Sequence, residues 1–183
     1  MKKLFAVLLA LCMLFSVALA EAAEEAPAVI ELNWADVEEA AAQIDGRFVT
    51  IGDLGVMIYV PNAFSELEVP QEYQDAGVIT MLSTEDGAAA ISIAYRSLGE
   101  MTSEEFFTQL QESGAENFEL AMINGEEALS YDVIYQGVKT SNVVFANEED
   151  NTILTFSFAP MDDEGFAAVA ALMVPSIQPA VEQ

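Results

Sequence analysis

The chain has 183 residues and carries 31 acidic against 5 basic side chains, a net charge of −26, with no histidine and a single cysteine. Such a surface repels phosphate backbones and anionic lipid. It sets nucleic acid and bare membrane aside as partners and favours polycations, divalent cations or a basic protein face. The absence of histidine removes the commonest general base, and one cysteine can build neither an N/S zinc site nor a disulfide framework.

The N-terminus reads MKKLFAVLLALCMLFSVALA: two lysines, an apolar run, and the small-residue ending Ala18-Leu19-Ala20. That pattern predicts a secretory signal peptide over residues 1–20, removed after Ala20, and hence a secreted, extracytoplasmic protein. The run, at roughly 17 residues, could barely span a bilayer, and the polar EAAEEAPA after it favours cleavage over anchoring. Cys12 follows Leu11 in mid-run, so it does not fit a lipidation site. Its loss with the signal leaves a cysteine-free chain with no integral membrane segment and three bases, Arg47, Arg96 and Lys139, against 31 acids. About 160 residues remain, enough to bury one core without disulfides.

Residues 21–32 are Ala/Glu/Pro-rich at their start and read as a flexible acidic leader, followed by a single α+β domain over 33–178 and a short tail over 179–183. Asn33 is placed to cap a helix running to about Ile44, with Trp34, Val37, Ala41 and Ile44 on one face and Asp45-Gly46 as its stop. Trp34 could serve as a ligand platform, but its position on the apolar stripe assigns it to packing. RFVTI and LGVMIYV, separated by Gly52-Asp53, form a hairpin that Pro61 ends. A less regular crossing over 62–75, with room for a short helix after Pro70, leads to GVITMLST and AAAISIAYR, joined through Asp86-Gly87. In the second of these, Ala90, Ser92 and Ala94 make a face small enough for a helix to lie close.

Thr102-Ser-Glu-Glu105 is a capping box opening a helix with Phe106, Phe107 and Leu110 inward, closed by Gly114. NFELAMI and the Asn124-Gly125 turn lead into three long runs over 128–159, whose short connections force an antiparallel meander. Leu129, Tyr131, Val133 and Tyr135 alternate on one face of their strand, as do Leu154, Phe156 and Phe158, so the sheet is expected to have one strongly apolar face. Asp162 is placed to cap a last helix with Phe166, Val169, Ala170 and Met173 at helical spacing, ended by Pro175. The sum is about three helices and six to eight strands joined mainly by hairpins: an α+β fold with helices packed on an antiparallel sheet.

The chemistry of the chain points away from catalysis. No G-x-S-x-G, P-loop or dinucleotide fingerprint occurs, and Lys139 alternates with strand residues rather than standing beside a serine in a known template. Paired carboxylates are too numerous to be informative. The acidic loops Asn147–Asn151 and Asp162–Gly165 place Glu148, Glu149, Asp150, Asp162 and Asp163 as candidate calcium ligands, since carboxylate oxygen is what Ca²⁺ takes. Neither loop follows the EF-hand register, and both suit a hairpin tip and a helix N-terminus. Arg47 and Arg96, beside strands, are expected in ion pairs at the sheet rim, with a clamp for a ligand carboxylate as the sharper alternative. No cofactor is implied.

Three motifs in order carry a resemblance. Gly55-V-M-I-Y-V-Pro61 with Phe64, Thr102-S-E-E-Phe106, and Ile123-N-Gly125-E-E-Ala128 resemble the strand opening, helix start and turn of PsbP-like domains, over residues 51–176. The resemblance implies an α/β/α sandwich, as in the PsbP subunit of photosystem II, a Ran-directed nuclear-transport factor and many exported bacterial proteins. It further implies a protein-binding accessory rather than an enzyme. No site carries over, because docking in PsbP uses basic residues and proposed metal sites use histidine. Function is therefore expected to be non-enzymatic binding of a protein partner, for which a basic face would suit the charge, at or outside the cell surface, with divalent-cation or small-ligand binding through the acidic loops as the alternative.

Overall fold

A computed structural model describes residues 29–180. The expected signal peptide, the leader up to residue 28 and residues 181–183 of the tail lie outside it. Two sheets are present. Eight strands make the main sheet, in the order β1 (Ile30–Leu32), β7 (Glu116–Ile123), β8 (Glu126–Tyr135), β9 (Val138–Asn147), β10 (Thr152–Ala159), β6 (Ala90–Ser97), β5 (Val78–Thr84) and β4 (Phe64–Leu67), and three make a smaller one, in the order β11 (Gln178–Pro179), β3 (Val56–Pro61) and β2 (Gly46–Thr50).

The hairpins form where turn chemistry and alternation place them. β2 (Gly46–Thr50) pairs antiparallel with β3 (Val56–Pro61), and β5 (Val78–Thr84) pairs with β6 (Ala90–Ser97). In the second turn Asp86 accepts from the Ala88 amide and the Thr84 hydroxyl, which holds its carboxyl below the ordinary value. β7 (Glu116–Ile123), β8 (Glu126–Tyr135), β9 (Val138–Asn147) and β10 (Thr152–Ala159) form the expected meander. The 62–75 crossing contributes β4 (Phe64–Leu67), an edge strand on β5, and a short helix, α2 (Gln71–Asp75). Three further helices are α1 (Trp34–Ala41), α3 (Ser103–Glu112) and α4 (Glu164–Met173).

Four expectations change. Residues 30–32, read as the end of a leader, form β1 (Ile30–Leu32), which lies parallel to β7 with Ile30 opposite Ala121. Three residues are too few for periodicity to register. The tail likewise contributes Pro179 to β11 (Gln178–Pro179), which pairs with β3. The first helix stops at Ala41 rather than Ile44, through a turn in which the Gln43 and Ile44 amides bond back three residues.

The last change concerns the faces. Leu129 sits opposite Val144, and Val144 opposite Thr155, so Leu129 and Tyr131 point to one side of the sheet while Leu154, Phe156 and Phe158 point to the other. Alternation fixes the two sides of each strand; only the register between strands decides which sides coincide. Both faces of the main sheet are therefore apolar. On one, Phe106, Phe107 and Leu110 of α3 cover Leu129, Tyr131, Val144 and Ile153. On the other, α4 and the small sheet bring Phe166, Ala170, Met173, Ile51, Ile58 and Val60 against Ile91, Ile93, Phe156 and Phe158. Each fully buried side chain of this size contributes about 1.5–3 kcal/mol by leaving water.

Outside the small sheet, Trp34 packs against Phe48 and Tyr59, with centroids 5.3 and 5.4 Å away. The Tyr59 hydroxyl donates to the Ile44 carbonyl. Gly46 lies beneath that ring, where a Cβ would come within 2.5 Å of Tyr59 Cζ, so close approach demands glycine there.

Candidate functional site

Among the described residues a concave site follows from small residues meeting across a gap. α4 presents Ala167, Ala170 and Ala171, followed by Val174 just past its end, at i, i+3, i+4 and i+7, and the strands beneath present Ala121, Ser130 and Ser141. Neither side has bulk enough to close the space. What remains is a cleft of about 270 Å³, walled by β1, β7, β8 and β9 on one side and α4 on the other, with Phe158 and Met161 also lining it.

Its polar groups gather on β7, β8 and β9. Asp132 and Ser141 are opposite one another across the β8–β9 ladder, and Glu119 lies opposite Ser130 on β7–β8. The Ser141 hydroxyl donates to Asp132 Oδ1. Asn117 Nδ2 donates to Oδ2 at 2.9 Å, and Lys139 Nζ stands 2.9 Å from the same oxygen. Burial pushes the Asp132 carboxyl up, but the bonds from Ser141, Asn117 and Lys139, with the ammonium charge, outweigh it, so it lies below the ordinary carboxylate value. The same partner raises Lys139, with Glu116 and Asp162 adding to the effect.

The β7 ladder reaches Asp132 and the β10 ladder reaches Ser141, so residues 133–140 form a two-stranded ribbon without a strand on either side among the described residues. On its β9 edge the Met161 amide donates to the Lys139 carbonyl at 2.8 Å. Its tip exposes Ile134 at 68%, Tyr135 at 66% and Val138 at 41%. Alternation had put Tyr135 on the covered face with Leu129. It shares that side but extends past α3, whose core partners there end at Val133.

A second hollow, about 210 Å³, lies at the other end of the meander between Val56, Phe145, Leu154 and Ile177, with Glu126 and Glu127 at its rim. Burial raises the Glu127 carboxyl, and the charges of Glu148 and Glu126 raise it further.

The acidic loops are not brought together. Glu148, Glu149 and Asp150 occupy the turn before β10, where Asn147 Nδ2 donates to Asp150 and its Oδ1 accepts from the Glu149 amide. Asp162 and Asp163 follow β10, a strand length of about 25 Å away. Asp163, rather than Asp162, caps α4 by accepting from the Phe166 amide at 2.7 Å. Among the described residues no three acidic side chains converge as a metal cage requires.

The arginines also differ from expectation. Arg96 lies over the Phe106 ring at 5.6 Å, and Arg47 donates to Asn62 Oδ1 at 3.3 Å. They sit on opposite sides of the main sheet and make no joint clamp. Among the described residues the ion pair is Lys139–Asp132, which sequence alone did not single out. Lysine scarcity was the available signal, since one lysine among so many acids will find one.

The solution structure of cyanobacterial PsbP (CyanoP) from Synechocystis sp. PCC 6803 matches with a TM-score of 0.51 at 16% identity, over 74% of this chain and 92% of that one. The fold is PsbP-like. A Bacteroides thetaiotaomicron VPI-5482 protein scores 0.45 at 14% identity, over 76% of this chain and 50% of that chain. The Ran-binding protein Mog1p of Saccharomyces cerevisiae scores 0.40 at 13% identity, over 73% and 86%. No protein-family model and no curated protein matches the chain. On this PsbP-like scaffold the three sequence motifs occupy β3, the start of α3 and the β7–β8 turn. These positions build the framework, and some of them, Ile123 in the cleft and Val56, Glu126 and Glu127 in the second hollow, also line the concave surfaces.

Proposed function

We propose that this protein is an extracytoplasmic, non-enzymatic binding module that docks a protein partner through the tip of the β8–β9 hairpin. The observation that carries the proposal is the exposure of the cross-strand partners Tyr135 and Val138 on one face of the tip and of Ile134 on the other, on a ribbon that no other strand of the described residues flanks, in a chain otherwise dominated by carboxylates. Exposed aromatic and aliphatic side chains at a hairpin tip suit the buried centre of an interface, and the outer edge of β8 can add main-chain hydrogen bonds. The surrounding acids favour a partner with a basic rim, because complementary charge speeds encounter and excludes wrong surfaces. The extracytoplasmic setting rests on the N-terminal sequence pattern, and the non-enzymatic role on a chain without histidine.

The test is capture from the producing cell's envelope with wild type and with Ile134→Ser/Tyr135→Ser/Val138→Ser as baits. A partner held by wild type and lost by the triple variant, with unchanged circular dichroism, is the expected result. Equal capture by both baits removes the hairpin tip from the interface.

A further inference from the structure

We propose that the cleft between α4 and the β1–β7–β8–β9 half of the main sheet is a binding site for a small amphipathic cation: an apolar body of about ten heavy atoms bearing one ammonium group. This inference stands apart from protein docking at the hairpin tip, because it uses different side chains.

Three features of the cleft select that chemistry. The first is size. A volume of about 270 Å³ equals roughly nine waters' share of liquid, which admits a phenyl ring with a two- or three-carbon arm and nothing much larger.

The second is polarity along the cleft. One end is hydrocarbon, from Leu32, Ile123, Ala170 and Val174, and favours an apolar body. The opposite end carries Glu119 and Asp132 within the lining.

The third is the sign of the charge at that end. Asp132 and Glu119 sit on the same face of neighbouring strands, one row apart, with Lys139 the base nearby. Lys139 is itself turned onto Asp132 at 2.9 Å and is not offered to a ligand. Glu119 has no ion-pair partner among the described residues. Among the described residues Asp132 Oδ1 accepts from Ser141 alone, and a carboxylate oxygen has capacity for a second donor. An ammonium at this end of the cleft would meet the carboxylates of two diagonal neighbours, Glu119 on β7 and Asp132 on β8. A carboxylate in the same place would meet both as repulsion.

The site is tested by titrating the purified protein with 2-phenylethylammonium and following backbone amide resonances. Its anionic counterpart 3-phenylpropionate and the head group alone, ethylammonium, serve as controls. Saturable shifts are expected at Ala121, Ser141, Val143 and Ala170 with 2-phenylethylammonium, and affinity for 3-phenylpropionate is expected to be about tenfold weaker or less, the ratio set by reversing one screened charge contact. Ethylammonium is expected to leave these signals in place. Ala171→Leu, at an exposed position on the helix that lines the cleft, fills the space and abolishes the shifts. Ala167→Leu is the second filling variant should the first perturb folding. Glu119→Gln narrows the preference for cation over anion. Equal binding of the two phenyl compounds, shifts confined to the exposed acidic loops, or undiminished binding by a folded filling variant would each overturn the proposal.

Discussion

At the scale of single residues, Asn124 does more than close a turn. It adopts φ 49°, a left-handed conformation that asparagine tolerates better than most residues. Its Oδ1 accepts from the Trp34 amide at 2.8 Å, and its Nδ2 donates to the carbonyls of Pro175 and Ile177 at 2.7 and 2.8 Å. One side chain thus joins the start of α1, the β7–β8 turn and the segment leading into β11. Asn33, expected to cap α1, makes no side-chain bond to the helix backbone and reaches Asp36 instead. The free amide at the helix start is satisfied from a distance of 90 residues in sequence. Asn124→Ala is expected to destabilise by about 2–4 kcal/mol, since it strands a donor and two acceptors in part-buried positions. Asn33→Ala is expected to change stability by less than about 0.5 kcal/mol. Urea unfolding of both variants checks the contrast, and equal losses would return the capping role to Asn33.

At the scale of elements, the β8–β9 hairpin depends on its base for orientation. Asp132, three residues before the end of β8, and Lys139, one residue into β9, form a diagonal cross-strand pair, with Ser141 and Asn117 holding the carboxylate. Because the folded Asp132 value lies below the unfolded one, its stabilisation is complete above the unfolded carboxylate value of about 3.9 and is lost as pH falls through the folded value. Lys139, raised in the folded state, contributes fully below its unfolded value of about 10.4 and loses that contribution as pH rises through the folded value. The stability gap between wild type and Asp132→Asn should therefore be constant from about pH 5 to 9 and shrink below about pH 4. Denaturant midpoints at matched pH measure it, and a gap unchanged at pH 2.5 would show the pair to be irrelevant to folding. The variant comparison matters because protonating many other carboxylates also changes the background stability.

At the scale of the whole molecule, layering and charge pull in different directions. Helix α1, the small sheet with α4, the main sheet and α3 stack around two cores that share the main sheet. Burial in those cores supplies the stability, because the chain has one cysteine and cannot form an internal disulfide. Against this stands a net charge of −26, whose self-repulsion favours expansion. Raising salt from about 10 to 150 mM shortens the screening length from about 30 to 8 Å, so the thermal midpoint should rise. Sodium and tetramethylammonium chloride should act alike, because diffuse repulsion does not distinguish monovalent cations. A flat or falling midpoint would mean that the acids are already compensated within the fold.

The sequence by itself determined the elements that have a local cause. The capping box at Thr102 and Glu105, the Asp86-Gly87 and Asn124-Gly125 turns, the meander and the α4 stripe each arise from side chains a few residues apart. Hairpin logic extended this to an antiparallel sheet with helices upon it. Only the tertiary structure decided what depends on contacts distant in sequence. It set the register that turned Leu129 and Phe156 to opposite faces, split β2 and β3 into their own sheet, and added β1 and β11 from segments too short to show a period. It also formed the cleft, since a hollow exists only where alanines on α4 face alanine and serine on strands some 30 to 50 residues earlier. Alternation is a property of one strand, whereas a face, a gap or a shared ion is a property of several, and no single stretch of chain encodes it.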